Sequence, residues 1–155
     1  MSVILPGSYD PVTVGHLDII ERVAAREDEV YVVVFVNENK KYRFSLSDRV
    51  NMLMLATEHL DNVLVSFSLG RVVDYMKEHG IDRIVKGYRN DRDLEWERTQ
   101  AEYNMKHGGY ETELILCDDR FREVSSTAVR RMLDGGEDAG ALLPASVAKY
   151  IRELD

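Results

Sequence analysis

The chain has 155 residues, 45% of them apolar and 31% charged, which is typical of one folded cytosolic domain. The formal net charge of −8 argues against general binding to nucleic acid or to an anionic membrane, since both need a surplus of lysine and arginine. The single cysteine, Cys117, excludes an internal disulfide framework and a cysteine-ligated metal, and it favours a reducing cytoplasm.

Short runs of β-branched and aliphatic residues predict five strands. The strongest is Val30 to Val36, which is apolar throughout, as expected for a strand covered on both faces. It is also the longest apolar run and is far too short to cross a bilayer. The weaker runs are residues 3–5, 63–65, 84–85 and 114–116. The first six residues lack a charged segment and a cleavage site, so we expect no signal peptide.

Helical spacing of apolar residues predicts a helix after each strand and one more at the end of the chain. Helix signals flank these segments, among them Ser45 before the second, Gly80 after the third and Pro144 before the last. The order of elements predicts an α/β fold: a Rossmann-like, doubly wound, five-stranded parallel sheet with helices on both faces, in a single domain over residues 1–155.

Ligands of such sheets bind beyond the carboxyl ends of the strands. Four loops should therefore carry the function, namely residues 6–16, 37–44, 86–93 and 117–127.

His16 opens the first predicted helix, where the helix dipole disfavours an imidazolium unless an anion is present. The other three histidines come late in helical segments. Taken alone, His16 permits two interpretations: a donor to a phosphate oxygen, or a surface histidine at a helix start.

The first loop reads Pro-Gly-Ser-Tyr-Asp-Pro-Val-Thr-Val-Gly-His over residues 6–16. It resembles the first loop of the HxGH nucleotidyltransferases, with Thr13 at the place of the first histidine. Threonine there is typical of the phosphopantetheine adenylyltransferase family, which the chain resembles from Leu5 to about Leu154. The resemblance implies transfer of the adenylyl group of ATP to 4′-phosphopantetheine, giving dephospho-coenzyme A and pyrophosphate, with Mg²⁺ accompanying ATP and no dedicated metal site.

The same resemblance implies roles for individual residues. Catalytic roles fall to His16, Ser8 and Lys40. The implied ATP-binding residues are Ser8, Tyr9, His16, Gly87, Tyr88, Arg89, Glu97, Phe121, Arg122, Glu123, Val124, Ser125, Ser126 and Thr127. The implied acceptor-binding residues are Ser8, Lys40, Val72, Lys86 and Asn104.

Several positions depart from the family pattern. Lys86 replaces an arginine, so a point charge replaces a bidentate fork. The segment 90–92 replaces a small apolar stretch, and Arg130 and Arg131 replace a lysine and a glutamate. Residues 120–122 differ from an aromatic-rich loop, although Phe121 can still pack on an adenine face.

Some of these positions also have a purely structural interpretation. Asp93 is expected to cap a helix, and Trp96 is expected to be a core residue. Val72 fits a plain core position, Asn104 an exposed helical amide, and Lys41 a solvent-facing neighbour of Lys40.

Two other classes of function remain open at this point. One is a related nucleotidyltransferase with another acceptor, resembling a glycerol-3-phosphate cytidylyltransferase or a nicotinamide mononucleotide adenylyltransferase. The other is a non-enzymatic nucleotide-binding module. The family also implies a homohexamer and coenzyme A as a feedback ligand.

Overall fold

The structure, a computed structural model, describes residues 1–154, and Asp155 at the end of the predicted domain lies outside them. Within residues 1–154 five strands alternate with helices in the predicted order. The strands are β1 Ser2–Gly7, β2 Glu29–Phe35, β3 Val63–Ser68, β4 Arg83–Tyr88 and β5 Thr112–Leu116. The helices are α1 Val14–Ala24, α2 Leu46–Thr57, α3 Val72–His79, α4 Asp91–Gly108, α5 Ser126–Asp134 and α6 Ala145–Arg152. Short 3₁₀ turns occupy Asp119–Phe121 and Gly140–Leu142.

All strand pairs of the sheet are parallel, and the strand order is β3-β2-β1-β4-β5. Leu5 of β1 pairs with Val32 of β2, and Ile4 pairs with Ile84 of β4. The chain therefore winds outward from β1 to β3 and then returns to the other side of β1. This reversal leaves a crevice between the carboxyl ends of β1 and β4, which is where such folds bind ligands.

Two apolar clusters cover the two faces of the sheet. Val3 and Leu5 pack on one face with buried residues of α1, α2 and α6, whereas Ile4 packs on the other face with Met76 of α3. Alternate side chains of a strand point to opposite faces, so a strand buried on both sides must be apolar throughout. The predicted α/β class with helices on both faces is confirmed.

Most predicted helix ends also lie where expected. Ser45 caps α2 by accepting from the N–H of Asp48, and Gly80 ends α3 in the left-handed region with φ of 64°. The prediction that Asp93 caps a helix is wrong. Asn90 caps α4 by accepting from the N–H of Asp93, which leaves the Asp93 carboxylate for Arg89.

Helix α4 is the longest helix of the described residues, with 18 residues, and it is rich in charged side chains. None of the helices within residues 1–154 combines the length and the apolar character needed to cross a membrane.

Candidate active site

The four loops that were predicted to carry function meet around one cavity of about 440 Å³ at the carboxyl ends of the strands. A second cavity of about 520 Å³ adjoins it, toward α3 and α4. Both cavities are bordered by the same seven residues: Pro6, Gly7, Ser8, Lys40, Lys86, Trp96 and Glu97. The shared wall is thus rich in cationic and hydroxyl groups, the partners that a phosphate needs.

The first loop is shaped by Tyr9, which adopts a positive φ of 46° and turns its ring inward. Its buried hydroxyl donates to the carbonyl oxygen of Leu5 at 2.9 Å, and burial raises its pKa well above the usual range. A Cβ at Gly7 would lie 3.0 Å from the Tyr9 ring, so this turn leaves little room for a side chain there. The backbone of the loop is therefore held open toward the cavity.

His16 is fixed at the start of α1 by a reciprocal cap with Thr13. The Thr13 hydroxyl accepts from the His16 N–H, while the His16 Nδ1 accepts from the Thr13 N–H at 3.0 Å. A ring nitrogen that accepts an N–H bond carries no proton, so the proton of the neutral imidazole is on Nε2. The structure thus makes His16 a donor through Nε2.

The imidazole of His16 stays neutral over a wide pH range. Burial, and after it the nearby cations Lys86 and Arg89, lower its pKa from 6.5 to about 4. The ring of Tyr9 packs edge-on against it, with 5.0 Å between the ring centroids. At neutral pH His16 therefore presents an uncharged N–H donor to the cavity.

Lys40 reaches the first loop from the segment after β2. Its Nζ donates to the Ser8 hydroxyl oxygen at 3.4 Å, and it borders both cavities. Lys41, its neighbour, is exposed as predicted. These contacts bring two of the three predicted catalytic residues together at the junction of the cavities.

Lys86 lies on the opposite wall, held by β1 and α4. Its Nζ donates to the carbonyl oxygen of Pro6 at 3.0 Å and lies 3.4 Å from Oε2 of Glu97. Glu97 is buried, and this burial raises its pKa even though Lys86 acts in the opposite direction. Glu97 thus partners the lysine that borders both cavities.

Arg89 is oriented by Asp93 one helical turn away. Its Nε donates to Oδ2 at 2.8 Å and its Nη2 to Oδ1 at 3.2 Å, while its own N–H donates to the same carboxylate at 3.1 Å. The fork is therefore held against the cavity wall before any ligand arrives. Gly87 lets β4 approach α1, because a Cβ there would lie 3.1 Å from the Ile19 side chain.

The start of α5 presents several donors to the first cavity. Ser125 caps the helix by accepting from the Ala128 N–H at 3.0 Å, and Thr127 accepts from Nη2 of Arg130 at 3.1 Å. The Ser126 hydroxyl donates to the carbonyl oxygen of Pro11 at 2.7 Å. The hydroxyl protons of Ser125 and Thr127 and the first N–H groups of the helix are donors of the kind that bind anions at helix N-termini.

The two cavities separate the predicted nucleotide residues from the predicted acceptor residues in part, since Ser8, Lys40, Lys86 and Glu97 border both. All five predicted acceptor residues border the second cavity: Ser8, Lys40, Val72, Lys86 and Asn104. The predicted ATP residues border the first cavity, with the exceptions of Arg122 and Glu123. Arg122 instead donates to the carboxylate of Asp119 at 2.6 Å, at the exposed edge of the 117–127 loop.

The prediction that Trp96 is a core residue is wrong. Its side chain is 63% exposed, and it stands at the rim shared by the two cavities. It precedes Glu97 on α4, and of these two residues only Glu97 is buried. The sequence of α4 does not indicate which of its faces is buried, because the helix is polar over most of its surface.

Sequence reasoning also missed three residues that support the loops. The Asp10 carboxylate accepts from the backbone N–H groups of Arg43 and Phe44, both at 2.9 Å. Arg130 donates to the carbonyl oxygen of Asp10 at 2.9 Å. Arg49 is buried on α2. It precedes the apolar residues Met52 and Leu53 by three and four positions, and this helical spacing in the sequence could have indicated that Arg49 lies on the buried face.

Comparison with known proteins places the chain in a family. Residues 4–132 match the cytidylyltransferase-like family. Phosphopantetheine adenylyltransferases of Corynebacterium glutamicum and Corynebacterium efficiens are 41% and 39% identical to it over 154 residues, which cover 99% of this chain and 96% and 97% of theirs. The chain belongs to the phosphopantetheine adenylyltransferase family. The resemblance inferred from the first loop is thereby confirmed, and so is the assignment to the nucleotidyltransferases.

Proposed function

We propose that this chain transfers the adenylyl group of ATP to the phosphate of 4′-phosphopantetheine, giving dephospho-coenzyme A and pyrophosphate. The observation that carries the proposal is the pair of adjoining cavities, in a member of this family, with Ser8, Lys40 and Lys86 in the wall between them. One cavity suits a nucleotide and the other an extended acceptor. The reacting phosphates would meet at the shared wall.

The chemistry needs alignment and charge neutralisation more than proton transfer. An anionic oxygen of the acceptor phosphate attacks the α-phosphorus of ATP, a new P–O bond forms, and the bond to the β-phosphate oxygen breaks as pyrophosphate leaves. The nucleophile is already ionised, so no side chain has to remove a proton. This fits a site built from cations, hydroxyls and N–H groups.

The geometry supports a role for each group. His16 lines the first cavity, and its Nε2 proton would donate to the α-phosphate, where charge accumulates in the transition state. Ser8 and Lys40, 3.4 Å apart, would hold the acceptor phosphate from one side, and Lys86 from the other. The departing pyrophosphate would rest on Arg89 and on the start of α5.

Lys86 stands where the family pattern has an arginine, and the structure supports its use as a point charge. Its Nζ donates one hydrogen bond to Pro6 and is ion-paired with Glu97, so donor capacity remains for the acceptor. In the second cavity Val72 offers an apolar wall and Asn104 an amide, which suits the mixed apolar and amide character of a pantetheine arm.

We propose that Mg²⁺ arrives with ATP and is held by its phosphates. Within residues 1–154 no group of three or more His, Cys, Asp or Glu side chains is placed to hold a metal ion, so the phosphates would supply the ligands. A bound magnesium ion would reduce the negative charge that the leaving pyrophosphate carries.

Other properties are proposed on more general grounds. The family match, residues 4–132, supports one nucleotidyltransferase domain, and the single cysteine supports a reducing cytoplasm. Large apolar side chains exposed on the edge strand β3 and on α4 support a homo-oligomer, which the family resemblance suggests is a hexamer. Coenzyme A carries the same pantetheine and adenylyl groups as the product, which supports its binding as a feedback ligand.

The test combines each of two nucleotides, ATP and CTP, with each of three acceptors, and it measures the rate of pyrophosphate release for every pair. We expect ATP with 4′-phosphopantetheine to react fastest, and CTP or the acceptors glycerol 3-phosphate and nicotinamide mononucleotide to react far more slowly. A faster reaction with either alternative acceptor would move the chain to a related activity. Nucleotide binding without pyrophosphate from any pair would indicate a non-enzymatic module.

A further inference from the structure

Arg49 is a buried cation beneath the first loop, only 2% exposed, and it lies outside the walls of both cavities. It is the fourth residue of α2, and its position in the helix turns it toward the apolar core rather than toward solvent. Burial of a guanidinium is costly unless its donors are satisfied. The contacts that it makes therefore indicate what it is for.

Its donors reach the two loops that form the shared wall. Nη1 donates to the carbonyl oxygen of Ser8 at 3.1 Å, and Nε donates to the carbonyl oxygen of Phe44 at 3.2 Å. The first bond fixes the backbone of the residue whose hydroxyl faces the acceptor. The second fixes the end of the segment that carries Lys40.

The plane of the guanidinium also stacks on a ring of the Lys40 segment. Its Cζ lies 3.9 Å from the centroid of the Tyr42 ring, and the Nζ of Lys40 lies 5.4 Å from the same centroid. The Tyr42 hydroxyl in turn accepts from the Asn37 N–H at 2.9 Å, which closes the segment between residues 37 and 42. Arg49 thus supports Lys40 through Tyr42.

The partners found for Arg49 within residues 1–154 are two carbonyl oxygens and a ring, and none of them is a carboxylate. Its positive charge is therefore not cancelled by an ion pair. A buried charge of this kind acts over a longer range than an exposed one, because the interior screens it less. It favours an anion at Ser8 and Lys40.

We propose that Arg49 is the positioning residue of the acceptor-phosphate site, fixing Ser8 and the Lys40 segment relative to each other through its fork and its planar stack. This inference rests on the proposed function. Its role is distinct from contact with the substrate, because the guanidinium lies behind the loops.

The test is a kinetic comparison of four variants with the unsubstituted chain. We expect Arg49→Met to raise the KM for 4′-phosphopantetheine by about 10- to 100-fold, the scale of hydrogen bonds lost from a charged group, with little change in the KM for ATP. Arg49→Lys keeps the charge but loses the fork and the stack, so most of the increase should persist. Tyr42→Leu removes the stack and the bond from the Asn37 N–H to the Tyr42 hydroxyl, but it keeps both donor bonds of Arg49, so it should raise the same KM by a smaller factor.

Leu53→Ala is the matched control, since it opens a space in the core one turn further along α2 and removes none of the three contacts of Arg49. It should lower the melting temperature and leave both KM values near those of the unsubstituted chain. An acceptor KM that rises equally in Leu53→Ala, or that Arg49→Lys restores fully, would overturn the positioning role. If Arg49→Met does not fold, an unchanged acceptor KM in Tyr42→Leu would overturn it.

The unsubstituted chain separates the two ideas. If it does not turn over 4′-phosphopantetheine, the proposed function fails and the role of Arg49 fails with it. If it does turn over this acceptor, but the Arg49 variants change the acceptor KM no more than Leu53→Ala does, only the proposed role of Arg49 is contradicted.

Discussion

Burial shifts the pKa values of several side chains of the first cavity toward their neutral forms, and His16 and Glu97 are the two among them that also lie beside Lys86. The consequence differs between them. A neutral His16 remains an effective N–H donor, whereas the rise in the pKa of Glu97 is opposed by the charge of Lys86. The site therefore gains donor groups without placing a bare carboxylate against incoming phosphates.

Removal of the His16 imidazole tests its role directly. We expect His16→Ala to lower kcat by about 10²- to 10³-fold, the scale of one lost transition-state donor, while the melting temperature stays close to that of the unsubstituted chain. Pyrophosphate release at saturating substrates measures the effect. His59→Ala is the control, because His59 is an exposed histidine paired with Glu21. An undiminished kcat in His16→Ala would remove this residue from the mechanism.

The lowered pKa of His16 also predicts how stability depends on pH. Its pKa is about 4 in the folded chain and 6.5 when unperturbed, so between these values the unfolded chain binds the extra proton. The contribution is present above pH 6.5 and is lost as the pH falls toward 4, by at most about 3 kcal/mol. Urea unfolding at pH 7.5 and 5 should show a larger loss for the unsubstituted chain than for His16→Gln. Equal losses in the two chains would contradict the shift.

At the scale of elements, the beginning of a helix serves twice as a donor platform in this cavity. At the start of α1 the cap holds a histidine, and at the start of α5 it leaves hydroxyl and N–H groups facing the cavity. Each cap both ends the strand-to-helix loop and orients the groups beside it. Stability and alignment are therefore coupled at these two places.

Removal of the cap at the start of α1 should lower both the stability of the fold and the rate of the reaction. Thr13 is 1% exposed, so Thr13→Val keeps its shape and removes the hydroxyl that accepts from the His16 N–H. We expect the free energy of unfolding to fall by about 1 kcal/mol and kcat to fall as well, because the turn that carries His16 loosens.

The control for this change lies at the other end of the same helix. Asn62 donates to the carbonyl oxygens of Ala24 and Glu27 near the C-terminus of α1, far along the chain from His16. Asn62→Ala should destabilise the fold with kcat unchanged. A kcat that follows stability equally in both variants would show that the cap has no separate effect on alignment.

The elements themselves were largely predictable because their signals are local. Apolar runs located all five strands, and Ser45 and Gly80 marked helix ends where the structure has them. The failure at Asp93 has a simple cause. Asparagine and aspartate are equally good caps, so the sequence could not decide between Asn90 and Asp93.

At the scale of the whole molecule, the site depends on contacts between distant parts of the chain. Lys86 meets Pro6 across 80 residues, and Arg130 meets Asp10 across 120. The parallel sheet brings these segments to one edge, and the four loops could be predicted from that rule alone. The division into two cavities and the supporting role of Arg49 could not, because they depend on side-chain packing between elements.

Assembly can be tested at the exposed edge of the sheet. Leu64 and Phe67 of β3 are 50% and 52% exposed, an unusual exposure for large apolar side chains on a strand. We expect the unsubstituted chain to sediment at about six times the 17.8 kDa of one chain, and Phe67→Glu to shift it toward the monomer. Met54→Glu, on the exposed side of α2, is the control, and it should leave the sedimenting mass unchanged. Sedimentation of the unsubstituted chain as a monomer would contradict the proposed assembly.

The position of Trp96 has a practical consequence for all of these measurements. It is the sole tryptophan of the sequence, and it stands at the rim shared by the first and second cavities, for which we propose the nucleotide and the acceptor. Its indole is exposed, so we expect a ligand that binds in either cavity to change the surroundings of the ring. Its intrinsic fluorescence therefore gives an unlabelled optical signal for the order in which the two substrates enter.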